Sequence, residues 1–435
     1  MRDLTESQID WLGEYPSNWN LKRIKYCLRE RVEKNNPVKT EDILSLTAKQ
    51  GVIPYEEKEG GGNKPKEDVS AYRLAYPGDI VMNSMNILSG SVGLSKYYGC
   101  VSPVYYMLRP ISASDDVRFY NYIFQTTMFQ RSLFGLGNGI MIKESGNGKL
   151  NTIRMRIPMD KFGSLFIPVA SPEEQKRIAD YLDEQCSEID ALLIDIQEQA
   201  NSLEEYRKSI ISESVTHGID KCELKDSGVS WCPKIPKNWT VTNPKALFKL
   251  RNQRASEGER QLTASQKFGI IYQDDFMELE NQKVVTVEKD FSILKHVEPN
   301  DFVISMRSFQ GGLEYSELSG SISSAYVMLI PEEEYVYPGF YRWFFKSSKY
   351  INAIQSTTNL VRDGQAMRYA NFIKVPLFHI PLDEQKKIAD FLDKKIPEVD
   401  GAIEEKKKQI DVLEQYKKAL IYEFVTGKKE VPANA

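Results

Sequence analysis

The stretch EQKRIADYLD, residues 174–183, recurs as EQKKIADFLD at residues 384–393. The two stretches begin a longer match, in which residues 174–216 align without a gap with residues 384–426 and are identical at 19 of 43 positions. An internal repeat of this length constrains the architecture of a whole chain. The repeat predicts that the chain carries the same structural unit twice.

Each copy of the repeat is predicted to form two helices. The first helix begins with SPEE at 171–174 in one copy and with PLDE at 381–384 in the other, which place proline and acidic residues in the first turn. A break is expected at Ser187, which is matched by Pro397, because proline suits the first turn of a new helix. The second helix then runs for about 28 residues to the glycine that follows each copy.

Apolar residues recur at alternating spacings of four and three along each longer helix, a pattern typical of coiled coils. Such a seam needs a partner, and the similar seam in the same chain is the expected one. The alternative is that each helix packs on its own domain. From the chain order the pair should be antiparallel, with a domain at each end about 42 Å apart. The residues predicted to pair are Ile189, Leu193, Ile196, Leu203, Ile210, Val399, Ile403, Ile410, Leu413 and Leu420.

The segments outside the helices repeat more faintly. WLGEYPSNW at 11–19 matches WCPKIPKNW at 231–239, and PGDIV at 77–81 matches PNDFV at 299–303. Short β-rich runs separated by Gly, Ser and Asn loops indicate mixed α/β domains. The predicted fold class is α+β, with two mixed α/β domains separated by two long helices that form an antiparallel coiled coil.

The duplication also predicts the domain boundaries. They are a first domain at 1–170, a central helical spacer at 171–218, a second domain at 219–380, a C-terminal helical spacer at 381–427 and a tail at 428–435.

The composition indicates a folded chain, and its charges are unevenly distributed along the sequence. Hydrophobic residues make up 41% and charged residues 27%, which excludes an intrinsically disordered chain. The net charge is −4, but residues 173–217 carry −8 and residues 383–427 carry −2, which leaves +6 elsewhere. This mild excess gives weak support for a nucleic-acid partner.

The sequence predicts a cytoplasmic protein. No run of about 18 apolar residues is present to span a membrane, and the N-terminus lacks the basic and apolar regions of a signal peptide. The five widely spaced cysteines fit reduced thiols better than a disulfide framework or a zinc site.

Catalytic motifs are missing from the sequence. FGLGNG at 134–139 resembles the cofactor loop of a methyltransferase, but it leads into a polar, turn-rich stretch rather than a helix. No phosphate-binding loop occurs, and His217, His296 and His379 stand in unrelated contexts, which favours packing or surface roles. We therefore expect a binding protein with no catalytic residues and no metal ligands.

Side chains suited to reading DNA are abundant in the loops where the two halves diverge. Arginine suits guanine, asparagine and glutamine suit adenine, and lysine suits phosphate. The alternative is a set of polar surface loops without a ligand. The predicted DNA-binding residues are Asn83, Ser84, Asn86, Lys143, Lys149, Asn151 and Arg154 in the first half and Arg307, Ser308, Gln310, Asn359, Arg362, Gln365 and Arg368 in the second.

These features together resemble the specificity subunit of a type I restriction-modification system. The resemblance covers nearly the whole chain and rests on the WLGEYPxNW-type opening, the GDIVMNSMNILSGSVGLS and NDFVISMRSFQGGL loops, the SPVYYMLRP-type strand, and the EQKRIADYLD phrase that closes each domain. It implies two target-recognition domains, each reading one half of a split DNA sequence, spaced by two helices that the family conserves.

The resemblance also implies the partners and cofactors. It implies double-stranded DNA, two modification (methyltransferase) subunits and restriction (motor and nuclease) subunits as partners, and no membrane. It implies no cofactor in this chain, since S-adenosylmethionine, ATP and Mg are used by the partner subunits. The alternative function is a scaffold or protein-interaction module that is built on a coiled coil and does not bind DNA.

Overall fold

The chain folds into two compact units. A computed structural model describes residues 2–47, 50–58, 64–85, 87, 90–137, 143–144, 150–151, 156–281, 293–357 and 367–433. The first unit comprises Met1–Ile196 and Lys408–Ala435, and the second comprises Gln197–Lys407. This division assigns the two ends of each long helix to different units, so it does not test the sequential domain boundaries, which stay a prediction.

The first unit contains a four-stranded antiparallel sheet in the order β4-β11-β8-β9. Its strands are β1 (Leu4–Glu6), β2 (Glu14–Pro16), β3 (Asn20–Arg23), β4 (Leu28–Glu30), β5 (Leu44–Thr47), β6 (Gly51–Pro54), β7 (Arg73–Ala75), β8 (Ile80–Asn83), β9 (Val92–Leu94), β10 (Gly99–Val101), β11 (Tyr105–Pro110), β12 (Lys143–Glu144), β13 (Leu150–Asn151) and β14 (Phe166–Val169). Its short helices are α1 (Ile24–Cys27), α2 (Val117–Gln125), α3 (Thr127–Ser132) and α4 (Met159–Ser164), with a 3-10 turn at Tyr55–Glu57.

The second unit contains a corresponding sheet in the order β18-β25-β22-β23, also antiparallel. Its strands are β15 (Leu224–Asp226), β16 (Lys234–Pro236), β17 (Thr240–Thr242), β18 (Phe248–Arg251), β19 (Leu262–Ser265), β20 (Gly269–Tyr272), β21 (Lys295–Val297), β22 (Phe302–Ile304), β23 (Glu314–Tyr315), β24 (Gly320–Ile322), β25 (Val327–Pro331) and β26 (Leu377–His379). Its short helices are α6 (Pro244–Leu247), α7 (Gln273–Glu280), α8 (Ser308–Gly311), α9 (Pro338–Phe344), α10 (Ser348–Gln355) and α11 (Tyr369–Phe372).

The repeated sequence forms two long helices, α5 (Pro172–His217) and α12 (Leu382–Val425). Each is continuous, so the predicted break at Ser187 and Pro397 is wrong. Pro397 lies inside α12, where proline removes one backbone hydrogen bond and crowds the preceding turn. Ile396 and Val399 are buried on either side of it. We infer that packing of these flanking residues outweighs the local cost.

The long helices pair antiparallel within each unit. In the first unit the ring centroids of Tyr181 and Phe424 lie 4.8 Å apart. Lys417 Nζ lies 2.6 Å from Asp190 Oδ1. In the second unit the Nε atom of Arg207 lies 2.6 Å from Oδ1 of Asp400, and Glu204 pairs with Lys407 at 3.3 Å. As the residue number rises along α5 from 181 to 207, the number of its partner on α12 falls from 424 to 400, so the two helices run in opposite directions. The predicted α+β class with an antiparallel helix pair is confirmed.

The seam predicted from the sequence faces inward in the structure. Five of its residues are buried or packed against the core of the first unit, namely Ile189, Leu193, Leu413 and Leu420 together with the half-buried Ile196. Ile410, also in the first unit, is half-buried. The others are buried or half-buried in the second unit, namely Leu203, Ile210, Val399 and Ile403.

The phrase EQKRIADYLD fixes the start of α5 to the globular part of the first unit. Gln175 is fully buried, its Nε2 donates to the carbonyl of Ala170 at 3.0 Å, and its Oε1 accepts from the N–H of Asp116 at 3.0 Å. Glu174 accepts from the indole Nε1 of Trp19 at 2.8 Å. The apolar members of the phrase, all buried in the core, are Ile178, Ala179 and Leu182.

EQKKIADFLD makes equivalent contacts in the second unit. The Nε2 of the buried Gln385 donates to the carbonyls of Ile380 at 2.8 Å and Tyr335 at 2.7 Å, and its Oε1 accepts from the N–H of Tyr337 at 2.8 Å. The apolar members Ile388, Ala389 and Leu392 are again buried. The phrase is repeated because each long helix is attached to the globular part of its own unit by corresponding contacts.

None of the helices within the described residues has both the length and the apolar character needed to span a bilayer.

Replacing either buried glutamine with leucine should destabilise its own unit. Gln175→Leu removes the partners of one buried carbonyl and one partly buried N–H, and Gln385→Leu removes the partners of one buried carbonyl and two partly buried backbone groups, at about 1–3 kcal/mol for each buried carbonyl and less for the others. Denaturant unfolding should show a lower free energy of unfolding for both variants, with the larger decrease for Gln385→Leu. The exposed neighbour Lys176→Ala is the matched control and should leave the unfolding curve unchanged. Equal stability of Gln175→Leu and the control would contradict this account of the phrase.

Candidate nucleic-acid interface

A buried ion pair holds the turn that precedes the central strand of each sheet. In the first unit Arg31 makes two hydrogen bonds to Asp79, at 2.8 and 3.1 Å. In the second unit Arg251 makes two to Asp301, at 2.6 and 3.0 Å. Both aspartates are 1% exposed, so the arginines replace the water that each carboxylate has lost. These pairs position β8 and β22, the strands that lead into the loops with predicted base-reading residues.

In the second unit the chain leaves β22 through a short helical turn, α8, that displays two of the predicted residues. Ser308 is buried, and its Oγ accepts from the N–H of Ser305 at 2.8 Å. Phe309 is also buried, and its carbonyl accepts from Gln355 Nε2 at 2.7 Å. Arg307 and Gln310 are exposed on the other side of the turn.

Gly312 is required where this turn ends. Its φ is +77°, in the left-handed region, and an added Cβ would lie 2.0 Å from the carbonyl oxygen of Phe345. A side chain here would force the turn away from the core. The glycine therefore helps to fix where Arg307 and Gln310 are presented.

The electrostatic surroundings of Arg307 include the phenol of Tyr326. Burial raises the pKa of Tyr326, and the positive charge of Arg307 acts in the opposite direction. No ion pair of Arg307 is found among the described residues. An exposed guanidinium of this kind can bind phosphate or the edge of guanine.

In the first unit two of the predicted residues lie at the end of β8 and point inward. Asn83 is the last residue of β8, Ser84 follows it, and both are buried. Asn83 Oδ1 accepts from the N–H of Met85 at 3.0 Å, and Ser84 Oγ donates to the carbonyl of Val104 at 2.7 Å. In this structure both side chains close the turn. Their predicted contact with DNA stays untested.

The structure describes three of the remaining predicted residues. Lys143 and Asn151 are register partners across the β12–β13 hairpin. Arg368 is exposed immediately before α11, and its backbone N–H donates to Asn371 Oδ1 at 3.1 Å. The predicted residues that lie outside the described residues are Asn86, Lys149, Arg154, Asn359, Arg362 and Gln365.

Sequence reasoning missed the residues that support these turns. Asp79 and Asp301 stood out as members of a repeated Pro-Gly/Asn-Asp pattern, but their arginine partners did not, because Arg31 and Arg251 lie 48 and 50 residues earlier. The similar offset of an arginine at the end of a β-rich run in both halves, 48 and 50 residues before the aspartate, is the signal that could have found them.

The exposed tip of the β19–β20 hairpin was also not predicted from the sequence. It exposes Lys267, whose Nζ lies 4.7 Å from the ring centroid of Phe268 and pairs with Glu280 at 2.8 Å. Among the residues that the structure describes, no group of three or more His, Cys, Asp or Glu side chains could hold a metal ion.

Comparison with known sequences identifies one similar protein over nearly the whole chain and another over part of it. A Methanocaldococcus jannaschii protein provisionally named as the MjaX specificity subunit of a type I restriction enzyme is 24% identical over 97% of this chain and 96% of its own length. The MjaVIII specificity subunit of the same organism is 25% identical over 62% of this chain and 63% of its own length. No protein-family model matches the chain.

Two solved structures share the fold. One is a chain from a study of complex assembly and conformational transition of the type I restriction-modification system, with a TM-score of 0.67 over 95% of this chain and 99% of that chain. The other is the HsdS subunit from Thermoanaerobacter tengcongensis, with a TM-score of 0.51 over 98% of this chain and 100% of that chain. Both are 13% identical, so they show the fold alone. The predicted resemblance to type I specificity subunits is confirmed.

Asp79→Asn and Asp301→Asn should each destabilise only the unit that contains the change. Each leaves a partly buried arginine without its counter-charge, at about 2–4 kcal/mol, below the full cost of breaking a buried pair because both guanidinium groups retain some solvent contact. Denaturant unfolding followed separately in the two units would measure this. Glu205→Gln, which removes an exposed pair with Lys208, is the control and should have no measurable effect. Wild-type stability of both aspartate variants would show that the pairs do not hold the turns.

Proposed function

We propose that the chain is the DNA-specificity subunit of a type I restriction-modification complex. The observation that carries the proposal is the match to a type I specificity subunit over nearly the full length of both chains, together with a duplicated unit whose repeated phrase makes the same buried contacts twice. A duplicated scaffold of this kind suits the recognition of two separate pieces of one ligand.

Each unit reads one half of a bipartite target in this proposal. The two units share the strand order of the central sheet and the buried Arg–Asp pair, whereas the residues presented after the central strand differ. Arg307 and Gln310 are exposed in the second unit, whereas Met85, the residue of the first unit that aligns with Arg307, is half-buried. Different surfaces on a common framework support two different half-sites.

The long helices act as spacer and docking element in this proposal. Continuous helices of 46 and 44 residues, paired through an apolar seam, form a stiff element of defined length. Exposed apolar side chains on the outer faces of these helices, Leu192, Ile194, Tyr206, Val412 and Tyr416, support the docking of modification subunits.

The chain itself is proposed to be non-catalytic and to work in the cytoplasm. Methylation with S-adenosylmethionine would reside in two modification subunits, and ATP- and Mg-dependent cleavage in restriction subunits. The described residues offer an exposed arginine and buried supports for it, which suit binding rather than bond-breaking chemistry.

Salt-dependent binding of duplex DNA by the chain in complex with modification subunits tests the proposal. Contacts to phosphates release counterions, so the affinity should fall steeply as salt rises. A complex that assembles and stays folded but shows no salt-sensitive binding would favour the alternative, a scaffold that does not bind DNA.

Arg307→Ala should relax recognition in one half of the target. If the arginine reads a base, the variant should lose about 1–3 kcal/mol of discrimination at one base position. If the arginine binds a phosphate, the variant should lose binding free energy to a similar extent for all sequences. Genome-wide mapping of methylated bases with the variant complex measures this. Lys208→Ala, an exposed cation on α5, is the control. A methylation map identical to that of the wild type would exclude Arg307 from recognition.

Lengthening both helices by one heptad should lengthen the unread gap in the target. Seven residues inserted after Glu198 and seven after Lys408 add about 10.5 Å and keep the seam in phase. At about 3.4 Å per base pair this corresponds to about three base pairs. Methylation mapping gives the gap, and a chain with only one insertion is the mismatched control. An unchanged gap in the doubly extended chain would show that the helices do not set the spacing.

A further inference from the structure

His296 lies in β21 between two carboxylates. Its Nδ1 is 2.9 Å from Oε2 of Glu259, its Nε2 is 2.6 Å from Oε1 of Glu298, and the residue is only 6% exposed. A neutral imidazole has a single N–H group and can donate to one carboxylate at a time, whereas the imidazolium ion donates to both. When both carboxylates are ionised, the two contacts are therefore satisfied together only by the protonated form.

The other charged groups near this site already have partners. They are Arg251, Arg254, Lys295 and Asp301. Arg251 and Asp301 form the buried pair described above. Lys295 donates to the carbonyl of Tyr326 at 2.6 Å, and Arg254 donates to the carbonyl of Ile293 at 3.0 Å. Glu259 and Glu298 are thus the two groups that respond directly to the charge of His296.

The two glutamates belong to different parts of the second unit. Glu259 precedes the β19–β20 hairpin, and the carbonyl of the next residue, Arg260, accepts from the N–H of Ser321 at 3.0 Å. Glu298 begins the turn before β22, and its N–H donates to Asp301 Oδ2 at 3.0 Å. His296 consequently connects the base of the hairpin with the turn that leads to Arg307.

The first unit has no such connection at the corresponding place. There β7 pairs with β10 as β21 pairs with β24, and the middle residue of β7 is Leu74, which is fully buried. A leucine makes an apolar contact that does not change with pH. The two units therefore differ in a titratable group on an otherwise shared framework.

We propose that His296 is a positioning residue that, when protonated, ties the base of the hairpin to the turn before β22 and so makes recognition by the second unit, but not by the first, depend on pH. This role in DNA recognition rests on the proposed function, whereas the protonated connection itself does not.

The direction of the pH dependence follows from the contacts. Burial lowers the pKa of His296, but the hydrogen bonds to Glu259 and Glu298 outweigh burial and hold the pKa above the ordinary 6.5. The same contact lowers the pKa of Glu298. A raised histidine pKa contributes stability that is present in full below 6.5 and is lost as the pH rises through the raised value. Each unit of increase in the pKa corresponds to about a tenfold change in the folding equilibrium.

The connection is tested on the intact chain without DNA. The chain has three histidines, so in H217Q/H379Q only His296 remains and ring-carbon NMR reports its titration directly. A midpoint above 6.5 supports the proposal, and a midpoint at or below that value overturns it. Unfolding between about pH 6 and about pH 9 adds a second readout, in which His296→Leu should remove the pH-dependent part of the second unit's stability. The exposed His379→Leu is the matched control and should keep it.

Recognition is tested with the complex that contains modification subunits, acting on genomic DNA at about pH 6 and about pH 9. Methylation mapping should show relaxed selectivity in the second half-site at the higher pH, with the first half-site as internal reference. His296→Leu should be relaxed at both pH values, and His296→Lys, which keeps a charge, should be less sensitive to pH than the wild type. Equal behaviour of both half-sites overturns the positioning role. If the complex methylates no DNA, the proposed function fails, while the NMR and unfolding results still decide on the protonated connection.

Discussion

The burial of one glutamine and three apolar side chains at the start of each long helix is the constraint on which the rest of the structure depends. Gln175 and Gln385 satisfy backbone groups that would otherwise be unpaired in the core, and a buried amide with two or three hydrogen bonds permits little variation in orientation. Each helix therefore leaves the globular part of its unit in a defined direction. Without these contacts the chain would still connect the helix to the globular part, but the direction of the helix would not be fixed.

A common framework leaves the surface free to diverge. The strand order, the buried Arg–Asp pair and the helix attachment are the same in both units. Single positions on this framework differ in chemistry, as with Leu74 and His296. Stability depends on the buried set, so exposed positions such as Arg307 can change without unfolding the unit. This separation is what a protein needs if it is to acquire new specificities on one scaffold.

The sequence was sufficient to predict the duplication, the apolar seam and the antiparallel pairing, because these follow from periodicity and chain order. It failed at Pro397, since local propensity favours a break while packing of distant residues preserves the helix. It was also ambiguous for Ser308 and Asn83. Hydroxyl and amide groups suit both base contacts and the closure of turns, and only the structure shows that these two are buried. Residue type gives the chemistry that is available, whereas burial decides where it is used.

The antiparallel pairing of two repeated helices allows a single cross-helix contact to occur twice. The shift of 210 residues that aligns the repeats maps Asp190 onto Asp400 and Arg207 onto Lys417. The pair Asp190–Lys417 in the first unit and the pair Asp400–Arg207 in the second are therefore the same contact made twice. Exposed ion pairs of this kind contribute only about 0–1 kcal/mol each, so the apolar seam supplies most of the stability. Their effect is on register, because a slip of one helix along the other breaks the contact in both units at once. A duplicated helix thus specifies its own alignment more strongly than two unrelated helices with the same number of charges.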